Sequence, residues 1–313
     1  METIKKPKDF VQIANQIEKD FGLEFVEEIT DNVSNRIFKF NCANDSEITH
    51  LLKYVPFGSF EPRCYRDILP QVKEEFTVLN LPKADHVYST NEANGSYILL
   101  PYYGGNRFDF NTSDMLLAED MVKIVKDLIK VNVEDLLQKD DVFLYQAKAE
   151  EVRFWERFTG ALEMNLIKSS EETNIRKEAD NLWRECEGRQ KVIMSNCDFN
   201  PRNVIRLSTG RLVLIDWDGI QQPLEALLTY PWALNWSHPD WQEKYAKEFE
   251  KQLPVNRENI RLQLMNISLV RATDEKNHNN SHGDQMADKL MDYFRDSMQG
   301  FNSLVDIIDK NVT

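Results

Sequence analysis

Ser195 to Ile220 read SNCDFNPRNVIRLSTGRLVLIDWDGI, and this stretch decides how the rest of the chain is interpreted. Its start is crowded with polar residues, among them Asp198 and Asn203. Two short apolar runs follow, VIRL and LVLI, on either side of a turn to which Gly210 contributes. The pattern predicts an antiparallel hairpin whose second strand ends directly before Asp216.

The hairpin would bring two oxygen ligands together at its open end. If Leu207 pairs with Leu212, the register places Asn203 opposite Asp216, and opposed residues have Cα atoms about 4.5 to 5.5 Å apart. One carboxylate and one amide oxygen suit Mg²⁺, which completes its shell with water and substrate phosphates. Asp198 enters the same end and is free to act on something other than the metal. Taken singly, each of the three is better explained as a turn residue, so the combination carries the interpretation.

Composition limits the classes of protein to consider. The chain has 313 residues, of which 42% are hydrophobic and 11% aromatic, which is enough for one large or two medium globular domains. A formal net charge of -14 argues against a sequence-independent nucleic-acid binder. An acidic surface fits a cationic or neutral small substrate, and it fits solubility equally well.

The cysteines and the apolar runs indicate the cellular compartment in which the protein is expected. The four cysteines are scattered without paired spacing, which favours neither a zinc site nor a disulfide framework. The N-terminal segment has no apolar core of signal-peptide length, and no later run approaches the roughly 20 apolar residues of a membrane span. We therefore expect a reduced, soluble, cytoplasmic protein without a membrane partner; its oligomeric state is not predicted.

The order of the predicted elements indicates an α+β arrangement of two lobes. A helix over 7–20 is followed by strand-like runs at 24–30, 36–42 and 48–56, a helix over 70–81, and further strand-like runs at HVYST and SYILLPYY. Beyond YYGGN the pattern is helical almost throughout, and the SNCDFNPRNVIRLSTGRLVLIDWDGI stretch interrupts it with strands. The cleft between the lobes is the expected place for a site.

The segments CDFNPRN and LVLIDWDG resemble the phosphotransferase family that includes aminoglycoside and choline kinases. That family shows His-x-Asp, four residues, Asn, and then Ile-Asp-Trp or Ile-Asp-Phe. The resemblance is specific over 192–234 and implies a two-lobed protein-kinase-like fold. Its smaller lobe, 1–101, would be an antiparallel sheet with one helix that binds ATP or GTP, and its larger, mostly helical lobe, 102–313, would carry the catalytic loop and the acceptor pocket.

By the same resemblance, Asp198 is the catalytic base or the group that orients a substrate hydroxyl. Asn203 and Asp216 would bind Mg²⁺, and Asp218 is a weaker site candidate because relatives often keep a second acid there. The implied activity is transfer of the γ-phosphate of ATP to a hydroxyl of a small molecule. A protein kinase is disfavoured, because little chain lies between Asp216 and YPWAL for a long activation loop.

A kinase of this kind needs a strand lysine for the phosphates and a helix carboxylate that fixes it. Lys53 interrupts an apolar strand and is the candidate lysine, although a lysine that guards an edge strand would look the same. In the predicted helix, Glu75 shares an apolar stripe with Val72, Phe76 and Leu79. A carboxylate on a core-facing stripe needs a cation, so Glu75 is the predicted partner of Lys53.

Weaker candidates complete the predicted site. The loop TDNVSNRIF lies where relatives place a phosphate-covering loop, so Ser34 and Asn35 are candidate phosphate contacts, and a plain hairpin turn is the alternative. Asp240 follows Pro239 at a predicted helix start and is a candidate contact for a cationic substrate.

One residue departs from the family pattern. Asn196 stands where the family has histidine, and an asparagine can donate and accept the hydrogen bonds that would hold the loop. The departure motivates an alternative, a nucleotide-binding pseudokinase or interaction module with little turnover. A metal-dependent hydrolase that uses the same acids, without Lys53 or Glu75, is a third hypothesis.

Overall fold

The computed structural model describes residues 9–29, 36–42, 47–89, 95–137, 145–277, 281–299 and 304. The candidate phosphate contacts Ser34 and Asn35 lie outside these residues.

The first third of the chain forms an antiparallel sheet covered by one helix. Its strands are β1 Leu23–Ile29, β2 Arg36–Cys42, β3 Ile48–Val55, β5 His86–Ser89 and β6 Ser96–Pro101. They lie in the order β1-β2-β3-β6-β5. Helix α1, Phe10–Phe21, packs on the sheet through Phe10 and Ile17, which are buried with Phe38 and Phe40. The helix and strands predicted here from apolar periodicity are confirmed.

Helices dominate the rest of the described chain and share one large apolar core. They are α3 Met115–Leu128, α4 Ala147–Glu163, α5 Glu172–Cys186, α6 Leu224–Leu234, α7 Pro239–Gln252, α8 Arg257–Asn277 and α9 Ser281–Gln299. Single 3-10 turns lie at Val133–Asp135 and Pro201–Asn203. The predicted α+β, two-lobed arrangement is confirmed. No helix among the described residues is long and apolar enough to cross a membrane.

α6 corresponds to no helix predicted from the sequence. All of its residues are buried, and Pro231 lies inside it. A helix that is apolar on every side lacks the one-sided periodicity by which amphipathic helices are found, and an internal proline normally argues against a helix.

Two small sheets link the lobes to the predicted hairpin. β9, Val204–Leu207, and β10, Leu212–Leu214, form the hairpin, and β4, Leu79–Asn80, and β7, Gly105–Arg107, flank it. β8, Val192–Met194, pairs with β11, Gln221–Pro223. The segments before and after the hairpin are thereby held side by side.

The hairpin is confirmed, but its register differs by one residue from the prediction. Leu212 pairs with Arg206, so Asn203 faces Ile215, whose N–H donates to the Asn203 carbonyl at 2.9 Å. The reason is the turn, a three-residue loop closed by Leu207 and Arg211, in which Gly210 has φ 79°. Such loops place a residue in the left-handed conformation at their third position.

The predicted helix over 70–81 is wrong. Helical structure lies earlier, in an α-helical turn α2, Glu61–Arg63, a π-helical turn, Cys64–Ile68, and a 3-10 turn, Leu69–Gln71. The chain is then irregular until β4, because two side chains satisfy its backbone. The Asp127 carboxylate accepts the N–H groups of Thr77, Val78 and Leu79. The Arg211 guanidinium donates to the carbonyls of Phe76, Thr77 and Leu79.

Replacing Asp127 is expected to destabilise the fold. The carboxylate is 1% exposed and also accepts from Lys130 Nζ at 2.7 Å, so Asp127→Ala leaves three backbone donors without their partner. We expect a loss of about 3 kcal/mol in the free energy of unfolding, measured by urea denaturation. Asp67→Ala, which removes an exposed carboxylate paired with Arg66, is the control and should cost under about 1 kcal/mol. Equal losses in the two variants would contradict the assigned role of Asp127.

Candidate active site

The loop that carries Asp198 is held by three asparagine side chains. The carbonyl of Asp198 accepts from the Nδ2 groups of Asn200 at 2.8 Å, Asn203 at 2.9 Å and Asn196 at 3.4 Å. Asn196 is fully buried and also donates to the carbonyl of Ile215 at 2.8 Å. The asparagine in the histidine position therefore ties the loop to the residue before Asp216.

The loop and the segment after the hairpin approach each other closely. Cys197 and Asp216 have φ of 62° and 65°, a conformation that is uncommon for residues other than glycine and recurs at functional sites. A Cβ at Gly219 would lie 2.4 Å from Cys197 Sγ. Only glycine fits at this position, so close packing explains the glycine in LVLIDWDG.

Polar contacts hold both oxygens of the Asp198 carboxylate. Oδ2 accepts from Asn203 Nδ2 at 2.8 Å, and Oδ1 accepts from Arg271 Nη2 at 3.1 Å and from the hydroxyl of Tyr230. Burial raises the pKa of Asp198, the Arg271 charge opposes that rise, and the Asp216 charge adds to it. Asn196 bonds both the carbonyl of Asp198 and the carbonyl directly before Asp216, so the two acids lie close together although the register differs from the prediction.

Lys53 on β3 reaches across to the other lobe. Its Nζ lies 2.8 Å from Glu61 Oε1 and also contacts the carboxylate of Asp216. Burial alone would lower the pKa of Lys53, but the Glu61 and Asp216 carboxylates raise it above its usual value. The lysine therefore stays charged between the two acids.

The carboxylate beside Lys53 is Glu61 and not Glu75. Glu61 is 2% exposed and opens the helical segment that follows β3, whereas Glu75 is exposed in the irregular segment before β4. The prediction for Glu75 depended on the helix over 70–81 and is wrong for the same reason. Pro62 at the first helical turn, followed by buried Cys64, Tyr65 and Ile68, is the signal that could have located the helix.

The two remaining acidic candidates differ in position. Asp218 accepts from Ser59 Oγ at 2.8 Å and from the backbone N–H of Phe60 at 3.0 Å. It thus joins the segment after Asp216 to the loop between β3 and α2. Asp240 is exposed in the first turn of α7 and does not line the cavity described below.

Asn203 and Asp216 fit a magnesium ion by their chemistry. Among the described residues, the side-chain contacts of Asn203 use Nδ2 and those of Asp216 use Oδ1, which leaves one oxygen of each for a ligand. No group of three or more histidine, cysteine or acidic residues suited to a metal occurs over the described ranges. One carboxylate and one amide oxygen match Mg²⁺, which keeps waters and takes substrate phosphates.

A cavity of about 930 Å³ opens beside this cluster. Its wall includes residues of α4, α6 and α8 and the segment from Asp218 to Pro223. Tyr230 and Arg271 line it and also contact Asp198. Neither residue was predicted from the sequence, because α6 has no one-sided periodicity and no motif lies near Arg271.

Searches against protein-family models and curated proteins return no match. Solved structures do match. Aminoglycoside 2'-phosphotransferase-IIIa in complex with GDP has a TM-score of 0.65 and 11% identity, with 95% of this chain and 100% of that chain covered. A choline kinase from Streptococcus pneumoniae has a TM-score of 0.60 and 14% identity, covering 93% and 99%. Spectinomycin phosphotransferase with ADP and spectinomycin has a TM-score of 0.58 and 11% identity, covering 95% and 96%.

These likenesses define the class of fold. The chain has the two-lobed protein-kinase-like fold that aminoglycoside phosphotransferases and choline kinases share. The fold inferred from CDFNPRN and LVLIDWDG is thereby confirmed, and the likeness extends over almost the whole chain.

Proposed function

We propose that this protein is a phosphotransferase that uses Mg²⁺ and ATP or GTP to phosphorylate a hydroxyl of a small molecule. The observation that carries the proposal is the meeting of Asp198, Asn203, Asp216 and Lys53 in one cleft beside a cavity. We further propose that residues 1–101 form the nucleotide-binding lobe and residues 102–313 the lobe that binds the acceptor. The nucleotides in the solved relatives, GDP and ADP, are compatible with a nucleotide donor.

Each residue of the cluster has a role that its contacts support. Asp198 accepts a hydrogen bond from the acceptor hydroxyl and orients its oxygen toward the γ-phosphate. Lys53, positioned by Glu61, meets the phosphates of the nucleotide. Asn203 and Asp216 would hold Mg²⁺, and the bound ion would neutralise the phosphate charge. Tyr230 and Arg271 position the Asp198 carboxylate.

One observation favours a second candidate, a nucleotide-binding module with little turnover. Asp198 Oδ1 is already in contact with Arg271 and Tyr230, so a hydroxyl has to compete for it. An assay of ADP formation with a panel of alcohols, together with the melting temperature in Mg·ATP, separates the candidates. A nucleotide-dependent shift in melting temperature without turnover of any acceptor would favour the module.

Glu61 and Glu75 offer a matched pair of variants. Glu61→Gln removes the buried charge that holds Lys53, so we expect kcat to fall by about 10²-fold through misplacement of the lysine. Glu75→Gln alters an exposed side chain. Its kcat should stay within about twofold of the wild-type value, because surface substitutions away from a site usually have small effects. Steady-state ADP release measures both. A larger loss in Glu75→Gln than in Glu61→Gln would exclude Glu61 as the partner of Lys53 in catalysis.

A further inference from the structure

The cavity beside Asp198 contains an exposed arginine, Arg153, whose charge opposes the rise that burial causes in the pKa of Glu150 in the same cavity. Arg153 on α4 lines the cavity, and within the described ranges it makes no hydrogen bond or ion pair. Burial raises the pKa of Cys197 to about 12, and the Arg153 charge opposes that rise. The guanidinium therefore acts on the residue that precedes Asp198 in the loop.

Most of the acids that line the cavity are already engaged. Glu150 accepts from the Tyr145 hydroxyl and from Asn266 Nδ2, and burial raises its pKa. Asp274 lies 3.0 Å from Arg157, and the other lobe holds Asp218 through Ser59 and Phe60. Glu156 is the remaining acid of the lining, and both Glu156 and Arg153 are exposed. Glu156 would be available to a cationic acceptor and Arg153 to an anionic one, so the choice between them depends on Arg271.

Arg271 adds a second cation at the point of reaction. It contacts Asp198 Oδ1 and lies over the ring of Tyr230, 4.8 Å from its centroid. An anionic group on the acceptor would compete with Asp198 for this guanidinium. Its binding would then leave the Tyr230 hydroxyl as the remaining donor to Oδ1 and open the position of the guanidinium to the acceptor hydroxyl, so that recognition and activation occur together.

We propose that the acceptor carries an oxyanion, a carboxylate or a phosphate ester, beside its hydroxyl, and that Arg153 and Arg271 bind this oxyanion. The inference rests on the proposed phosphotransferase function. In the reaction the hydroxyl oxygen forms a bond to the γ-phosphorus of ATP, and the bond from that phosphorus to the β-phosphate oxygen breaks. The hydroxyl proton passes to Asp198 and then to solvent, and ADP leaves.

Matched acceptors test the inference. The first set is glycerol, glycerate, glycerol 3-phosphate and serinol. The second set is glucose, glucuronate, glucose 6-phosphate and glucosamine. Within each set, the compounds differ in charge on a similar skeleton. ADP release is measured with Mg·ATP, and melting temperature with Mg·ADP. We expect turnover or stabilisation only with the anionic compounds. Comparing the carboxylates with the phosphate esters then shows which of the two oxyanions the site binds.

Variants assign the effect to Arg153. Arg153→Gln should lower kcat/KM for the anionic acceptor by about 10- to 100-fold, the range for a hydrogen bond to a charged group. Lys148→Gln is the control, because it removes a cation from the same helix where the side chain is 82% exposed and paired with Glu151. The control should match the wild type. An unchanged kcat/KM in Arg153→Gln overturns the inference.

The remaining outcomes separate this inference from the proposed function. Turnover of only neutral or amino members would refute the anionic acceptor and keep the phosphotransferase. Stabilisation by an anionic member that is lost in Arg153→Gln, without turnover of any acceptor, would support the anion site and count against the phosphotransferase. If neither turnover nor stabilisation by any anionic member is seen, the inference fails.

Discussion

Asp198→Asn is expected to lower kcat by about 10²- to 10⁴-fold, the usual contribution of a group that takes a proton in the transition state. The amide has nearly the same shape, so the packing around Tyr230 and Arg271 should persist. What is lost is the negative charge that accepts the acceptor proton. The measurement is steady-state ADP release with the best acceptor, together with the shift in melting temperature caused by Mg·ATP, which should be retained.

Asp240→Asn is the matched control for this loss. The chemical change is identical, but Asp240 is exposed at the start of α7 and does not line the cavity. We expect its kcat and KM to match those of the wild type. If Asp240→Asn loses activity and Asp198→Asn does not, the assignment of the catalytic loop is wrong and the substrate site lies near α7.

The sequence correctly predicted the elements that are determined by interactions between residues close together in the chain. The hairpin around Gly210, the strands of the first sheet and the amphipathic helices all have a periodicity or a turn that the sequence displays. The left-handed conformation at Asp216 was not visible in this way. The close approach of Gly219 to Cys197 was not visible either, because it joins segments that are distant in sequence.

The helix over 70–81 shows how tertiary contacts override a local pattern. Val72, Phe76 and Leu79 have helical spacing, but Asp127 and Arg211 bind the backbone groups that a helix would use. Neither partner is near this segment in sequence. Glu61 was missed as a consequence, because it lies in α2, before the start of the predicted helix.

Tyr230 and Arg271 show a second reason why part of the site could not be predicted from the sequence. Their helices, α6 and α8, contribute to one core, and only the folded structure brings the two side chains into contact with each other and with Asp198. The specific resemblance to small-molecule kinases spans residues 192–234, whereas α4 and α8, which supply much of the cavity wall, lie outside that stretch. The motif therefore does not describe these walls, which become known only from the fold.

Asp216→Asn is expected to reduce kcat by about 10³-fold at fixed Mg²⁺, which corresponds to several kcal/mol of lost charge stabilisation in the transition state. Asp216 would be the carboxylate ligand of the ion, and Asn203 offers only an amide oxygen. The variant should also need more Mg²⁺ for half-maximal activity. A titration of ADP release with MgCl₂ measures both effects, and a melting curve in Mg·ATP reports binding independently of turnover.

Asp218→Asn, two residues further on, decides whether the loss is specific to the metal. Its carboxylate is bound by Ser59 and Phe60 of the other lobe, so this variant should keep the Mg²⁺ requirement of the wild type even if closure of the lobes becomes less favourable. Asp216 also contacts Lys53, and its loss would disturb the lysine as well. Lys53→Met separates the two effects, because it removes that contact and leaves the oxygens of Asp216 and Asn203 in place. A normal Mg²⁺ titration in Lys53→Met together with a shifted one in Asp216→Asn would assign the metal to Asp216, and the reverse pattern would exclude it.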